Sequence, residues 1–76
     1  MDAEQIGKMI RFHRKKSGLT QEELGELAGL GKTVIFDVEK GKLSVRLDTL
    51  LKIMNILNIK MDFQSPLMEL FINEKS

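Results

Sequence analysis

Cysteine is missing from this chain. Its absence excludes disulfides, thiolate metal sites and a cysteine nucleophile together. His13 is the single histidine. It cannot assemble a zinc site without partners, and no serine with a matching acid completes a catalytic triad. No phosphate loop or poised nucleophile is present either, so no enzyme, metal or cofactor is expected. No apolar run approaches the roughly 20 residues that span a bilayer. The N-terminus, with Asp2 and Glu4, does not read as a signal peptide, and a cytoplasmic location is expected. Net charge is also small, at +1, and by itself announces no polyanionic partner.

What remains is one small domain of 76 residues, 42% apolar and 30% charged, ordinary for a helical fold with a modest core. The distribution of charge says more than its sum. Residues 1–20 carry five basic side chains (Lys8, Arg11, Arg14, Lys15, Lys16) against two acidic ones. Residues 21–42 carry three basic and five acidic, and the remainder is balanced. Positive charge is thus concentrated in the first helix. Taken alone, a run such as RFHRKK is more often a solvated helix face than a binding patch.

The chain is organised around residues 19–41, LTQEELGELAGLGKTVIFDVEKG. Thr20 can cap a helix while Glu23 reaches back to the cap's own N–H, and Leu19 and Leu24 are spaced as a hydrophobic staple. Leu24, Leu27 and Ala28 make the expected inward face. Gly29 suits a left-handed stop, and Gly25 suits a close helix crossing. A second helix is expected from Lys32 to Lys40. At 100° per residue Val34, Ile35 and Val38 share one arc, which leaves Lys32, Thr33, Phe36, Asp37 and Lys40 on the other. Two short helices joined by a glycine-containing turn form a helix-turn-helix, whose second helix enters the DNA major groove. An αα-hairpin within some other helical bundle has the same outline.

Flanking segments follow the same periodicity. A first helix is expected from Ala3 to about Ser17, with Asp2 as cap, Gln5 three residues on, and Ile6, Met9, Ile10 and His13 as its core stripe. Phe12 is placed to cover the edge of that stripe. A fourth helix is expected from Leu47 to Leu57, with Leu47, Leu50, Leu51, Met54 and Leu57 inward. Ile53 and Ile56 are left to complete the core or to join a subunit interface. Beyond it Ile59, Met61 and Phe63 alternate with Lys60, Asp62 and Gln64, the pattern of a short strand. A solitary strand needs a partner, and a second copy of the segment supplies one across a two-fold axis. The alternative is an irregular connector to a last helical turn within residues 67–76.

The stretch IGKMIRFHRKKSGLTQEELGELAGLGKTVIFDVEKGK, continuing through LDTLLKIMNIL, resembles the lambdoid-repressor or Xre class of helix-turn-helix proteins. LNIKMDFQSP resembles the strand that follows the helical domain in HipB-type antitoxins, which partner HipA-type kinase toxins. The resemblance implies an all-α, lambda-repressor-like domain of four to five short helices over residues 1–58, with residues 59–76 as a dimerisation or partner-binding segment. It implies a homodimeric repressor on a palindromic double-stranded DNA operator, with a HipA-like kinase toxin as a further partner. A stand-alone repressor and a purely protein-binding module are the alternatives. By residue-wise match Lys32, Thr33 and Asp37 occupy base-reading positions, and Phe36 offers its ring to a thymine methyl. Gln21, Lys40, Lys42 and Arg46 are the expected phosphate contacts, and Arg14 and Glu39 match an ion pair tying the first helix to the reading helix. Three residues depart from the class, and for one of them, Phe36, the alternative is a contact with the partner subunit or with the loop after Gly41. The usual residue of the class at the His13 position is aliphatic, and at the Asp37 position it is an amide or a base. Asp37 must accept from cytosine N4 or pair with a lysine such as Lys40.

Overall fold

The computed structural model describes residues 1–74. Five helices follow one another: α1 (Ala3–Lys16), α2 (Gln21–Ala28), α3 (Lys32–Glu39), α4 (Leu47–Ile56) and α5 (Met68–Asn73). The first two begin with closed capping boxes. Asp2 accepts from the Gln5 N–H at 2.8 Å while the Gln5 amide oxygen accepts from the Asp2 N–H at 3.1 Å. Thr20 and Glu23 make the same reciprocal pair, at 3.0 and 2.9 Å. Each box satisfies two donors that a helix start otherwise leaves open.

α2 and α4 end in the same way. Gly29 is left-handed at φ 70°, and the Leu30 N–H donates back to the Gly25 carbonyl at 2.7 Å. At the end of α4 Asn58 takes that conformation at φ 58°, and the Ile59 N–H reaches the Met54 carbonyl at 2.9 Å. Asparagine tolerates this geometry better than other residues with a Cβ.

α1 packs on α3, and α2 packs on both α3 and α4. Ile10, Leu24, Ile35 and Ile53 are fully enclosed between them, with Val38, Met54 and Leu57 also buried. Each enclosed isoleucine or leucine stabilises the fold by roughly 1.5–3 kcal/mol over its exposed state. Among the described residues, no buried side-chain nitrogen or oxygen lacks a hydrogen-bond partner. No described helix is long and apolar enough to cross a membrane.

Five expectations need correction. Leu27 is 59% exposed, because the buried arc of α2 is centred on Leu24, Gly25 and Ala28, and Leu27 falls outside it. α4 is rotated from the expected stripe: Ile53 is enclosed, whereas Leu47 and Leu51 are exposed. Apolar residues surround most of this helix, so periodicity alone does not choose among its faces. Phe12 lies in the open, edge-on to the His13 ring at 5.8 Å and beneath the Lys16 ammonium. His13 itself is half-buried, its Nδ1–H donating to the Met9 carbonyl at 2.7 Å.

The tail supplies the fourth. No strand forms among the described residues, and the Ile59, Met61, Phe63 segment is irregular. Ile59 packs against the helical core, while Met61 and Phe63 are exposed. One chain offers this segment no second strand, so nothing organises its backbone. α5 follows with no buried residue, and Leu70, Phe71 and Ile72 face solvent. The sequence leads one to expect residues 74–76 to fray; Glu74 is exposed, and Lys75 and Ser76 lie outside the described residues.

Close backbone approaches at Gly7, Gly25 and Gly41 leave no room for a side chain. A Cβ on Gly25 would stand 2.6 Å from the Leu30 carbonyl oxygen. The neighbour is the backbone of the returning turn, not a crossing helix as expected. The crossing lies at Gly7, where a Cβ would stand 2.5 and 2.7 Å from the Val38 and Glu39 carbonyl oxygens.

Gly7→Ala should therefore force α1 away from α3. Overpacking of this kind costs about 1–3 kcal/mol, a fall of roughly 5–20 °C in the thermal midpoint of so small a domain. An unchanged melting curve by circular dichroism would show that the crossing has slack. A second outcome concerns acid. Backbone and side-chain hydrogen bonds with Thr20 hold the Glu23 carboxyl below its ordinary range. Its contribution is therefore complete above the unfolded value and is lost as pH falls through the lower folded value. Glu23→Gln should flatten that acid limb in melts taken across pH.

Candidate nucleic-acid interface

The outer face of α3 is built by subtraction. Ile35 and Val38 hold the helix down and Val34 is half-buried, which leaves Lys32, Thr33, Phe36 and Lys40 exposed and Asp37 at the margin. Gly31 caps the helix without a side-chain hydrogen bond, and Lys32 is its first residue. A cation at the positive end of a helix opposes the dipole. Helix stability is therefore no reason for a lysine at this place.

α3 stands between depressions. On one side a cleft of about 460 Å³ between α1 and α3 is lined by Gln21, Phe36 and Lys40 together with residues of α1. Beside it, at the start of α2, Thr20, Gln21 and Lys32 border another of about 510 Å³. On the far side Asp37, Lys42 and Arg46 share one of about 180 Å³ with Val34 and Thr49. The residues expected to meet phosphate thus fall into two groups, Gln21 and Lys40 on one flank of α3, Lys42 and Arg46 on the other. A helix lying in a major groove has a sugar–phosphate strand on each side.

Beneath the face lies a buried polar cluster. Arg14 Nε donates to Glu39 Oε2 at 2.6 Å and a terminal nitrogen donates to Oε1 at 3.0 Å. Its other terminal nitrogen donates to the Leu19 carbonyl at 2.9 Å, and the Gln21 amide donates to Glu39 Oε1 at 3.2 Å. α1, the first residue of α2 and the last of α3 are joined through one carboxylate, and the Arg14 guanidinium ties in the α1–α2 turn. Hydrogen bonding to Glu39 raises the Arg14 guanidinium pKa further, against a smaller opposing effect of burial. The side chains are 10% and 3% exposed, so solvent screens the pair little.

The exposed charges are arranged differently from expectation. Asp37 pairs with Lys42 at 3.5 Å and not with Lys40. The Lys40 ammonium instead sits over the Phe36 ring, 5.5 Å from its centre. The chain turns back after Gly41, at φ 83°, which brings Lys42 within reach of Asp37. Arg46 holds the Asp48 carboxylate at 3.1 and 3.2 Å. Such exposed pairs contribute about 0–1 kcal/mol, so a phosphate can draw the cation away at little cost.

Arg14→Ala would leave the Glu39 carboxylate enclosed without its cation. The expected loss is about 3–5 kcal/mol, read as a lowered denaturation midpoint with an unchanged slope. Full retention of stability would show that the pair does not tie α1 to α3.

Comparison with known proteins gives the family of the chain. The helix-turn-helix family model matches residues 10–64. An uncharacterized HTH-type transcriptional regulator, y4mF, of Sinorhizobium fredii is 34% identical over 61 residues, covering 80% of each chain. Control protein C.SmaI of Serratia marcescens is 37% identical over 59 residues, 76% of this chain and 70% of that one. Among solved structures, a chain of the HipB–O4 20mer complex superposes with a TM-score of 0.78 at 24% identity, covering 87% of this chain and 93% of that one. That likeness is one of fold. By its family match and these relatives, the chain belongs to the Xre-type helix-turn-helix family.

Proposed function

We propose that this chain is a sequence-specific repressor that binds double-stranded DNA as a homodimer and serves as the antitoxin of a HipA-type kinase toxin. The observation that carries the DNA reading is the exposed face of α3, raised between two groups of cationic and amide side chains. Lys32 and Thr33 read base edges at the start of the helix, Lys32 by donating to guanine O6 and N7. Phe36 meets a thymine methyl, and Asp37 either accepts from cytosine N4 or stays with Lys42. Gln21, Lys40, Lys42 and Arg46 hold phosphates and set the register.

Support for a second subunit comes from apolar surface that the monomer leaves uncovered. Leu27, Leu43, Leu47 and Leu51 are exposed on the helical body, and Met61, Phe63, Leu67, Leu70, Phe71 and Ile72 on the tail. A second subunit would cover these apolar side chains. In the dimer the residue 59–64 segment pairs with its copy, which gives partners to its backbone groups. Two α3 helices then meet successive major grooves about 34 Å apart on a palindromic site. The antitoxin role is supported by the resemblance of the tail to HipB-type proteins and by the shared fold.

The test is Lys32→Ala with Thr33→Ala, measured on an operator selected from random-sequence duplexes. Loss of two base contacts should weaken operator binding by roughly 10–1000-fold while the melting curve stays in place. Unchanged binding would remove α3 from the reading surface. Sedimentation equilibrium should give a dimer, and a HipA-like kinase produced together with this chain should co-purify with it. A dimer that binds the operator but retains no kinase is a stand-alone repressor.

A further inference from the structure

α1 crosses α3 at Gly7 with the two backbones almost touching. Lys8 and Arg11 flank that crossing on one face of α1, one and four residues further on. Both line the cleft that Lys40 closes from the end of α3 and Gln21 from the start of α2. Two carboxylates also border it, but neither leaves the cleft acidic. Glu39 is already held by Arg14 and Gln21. Glu4 pairs with Lys8 at 3.5 Å, with both side chains nearly three-quarters exposed. Among the described residues Arg11 stands in no ion pair.

From this arrangement we infer that Arg11, with Lys8 and Lys40, forms a phosphodiester site that grips the DNA strand on the α1 flank of α3. The inference rests on the reading of α3 as the groove-binding helix. The cleft opens beside Phe36 and Lys40 on the outer face of α3, so a strand bordering the groove passes its mouth. A guanidinium presents paired N–H donors that match two phosphate oxygens, and the neighbouring ammonium groups add charge without demanding a fixed geometry. The close crossing at Gly7 fixes how far these side chains stand from the reading helix. α1 then positions the protein directly on the backbone, beyond attracting DNA at long range. Free inorganic phosphate offers the same oxygens, so the test separates the two sources.

Arg11→Gln, Arg11→Lys, Lys8→Gln and Lys16→Gln are compared with the unmodified chain on a mixed-sequence duplex across a series of salt concentrations. Lys16 belongs to the same helix but sits over Phe12, and its removal controls for net charge. Arg11→Gln should weaken binding roughly tenfold and reduce the steepness of the salt dependence by about one. Lys8→Gln should reduce it by a similar amount and Arg11→Lys should restore most of it, while Lys16→Gln leaves it in place. Equal effects at Lys16 and Arg11, or an unchanged salt dependence in Arg11→Gln, would overturn the site. Stabilisation by inorganic phosphate at fixed ionic strength that vanishes in Arg11→Gln, with duplex binding unaltered, would assign the cleft to a free anion and overturn it as well. An unmodified chain that binds no duplex at all would instead refute the reading of α3.

Discussion

One buried carboxylate, Glu39, holds the parts of this domain in register. It accepts from Arg14 on α1 and from Gln21 at the start of α2, while the same guanidinium reaches the Leu19 carbonyl in the turn between them. Ile35 and Val38 seat α3 by apolar burial, which is strong but has no direction. The Glu39 cluster adds direction, since a bidentate guanidinium–carboxylate pair tolerates little rotation. Replacing such a pair with well-packed apolar residues is often neutral or favourable for stability. The contribution we propose for it is therefore the angle at which the outer face of α3 is presented.

Close backbone contact does the rest of the placing. At Gly7 the helices approach until no side chain fits between them, and at Gly25 the turn folds back onto α2. The exposed face of α3 is thereby held on a small rigid platform. Around it the charges remain loosely paired, Lys42 with Asp37 and Arg46 with Asp48, at distances and exposures that water competes for. A firm core under a rim of labile ion pairs suits the proposed surface, on which phosphate takes the place of the protein's own carboxylates.

The local features could be read directly from the chain because their causes are local. A capping box needs only a cap residue and an acceptor three positions on, so the starts of α1 and α2 were visible in Asp2–Gln5 and Thr20–Glu23. The wheel of α3 could be drawn because its three inward residues are β-branched and its outer ones are polar or aromatic. The apolar helices were harder. α4 carries isoleucine, leucine or methionine on nearly every side, and the choice of Ile53 over Leu47 and Leu51 depends on where α2 lies. Arg11 gave no signal, being one basic residue in a basic run until the fold set it opposite Lys40. The tail alternated like a strand, but a strand forms only where a second one is supplied.

From composition and pattern alone came the class of the domain, the positions of its first three helices and the face of α3 that looks outward. These depend on interactions within about one helical turn, where spacing along the chain and spacing in three dimensions are nearly the same. Tertiary structure decided which side of α4 is buried, that Asp37 meets Lys42, that Ile59 joins the core, and that Lys8 and Arg11 share a cleft with Lys40. Each brings together groups from different elements, and their distances follow from crossing geometry that no single segment carries.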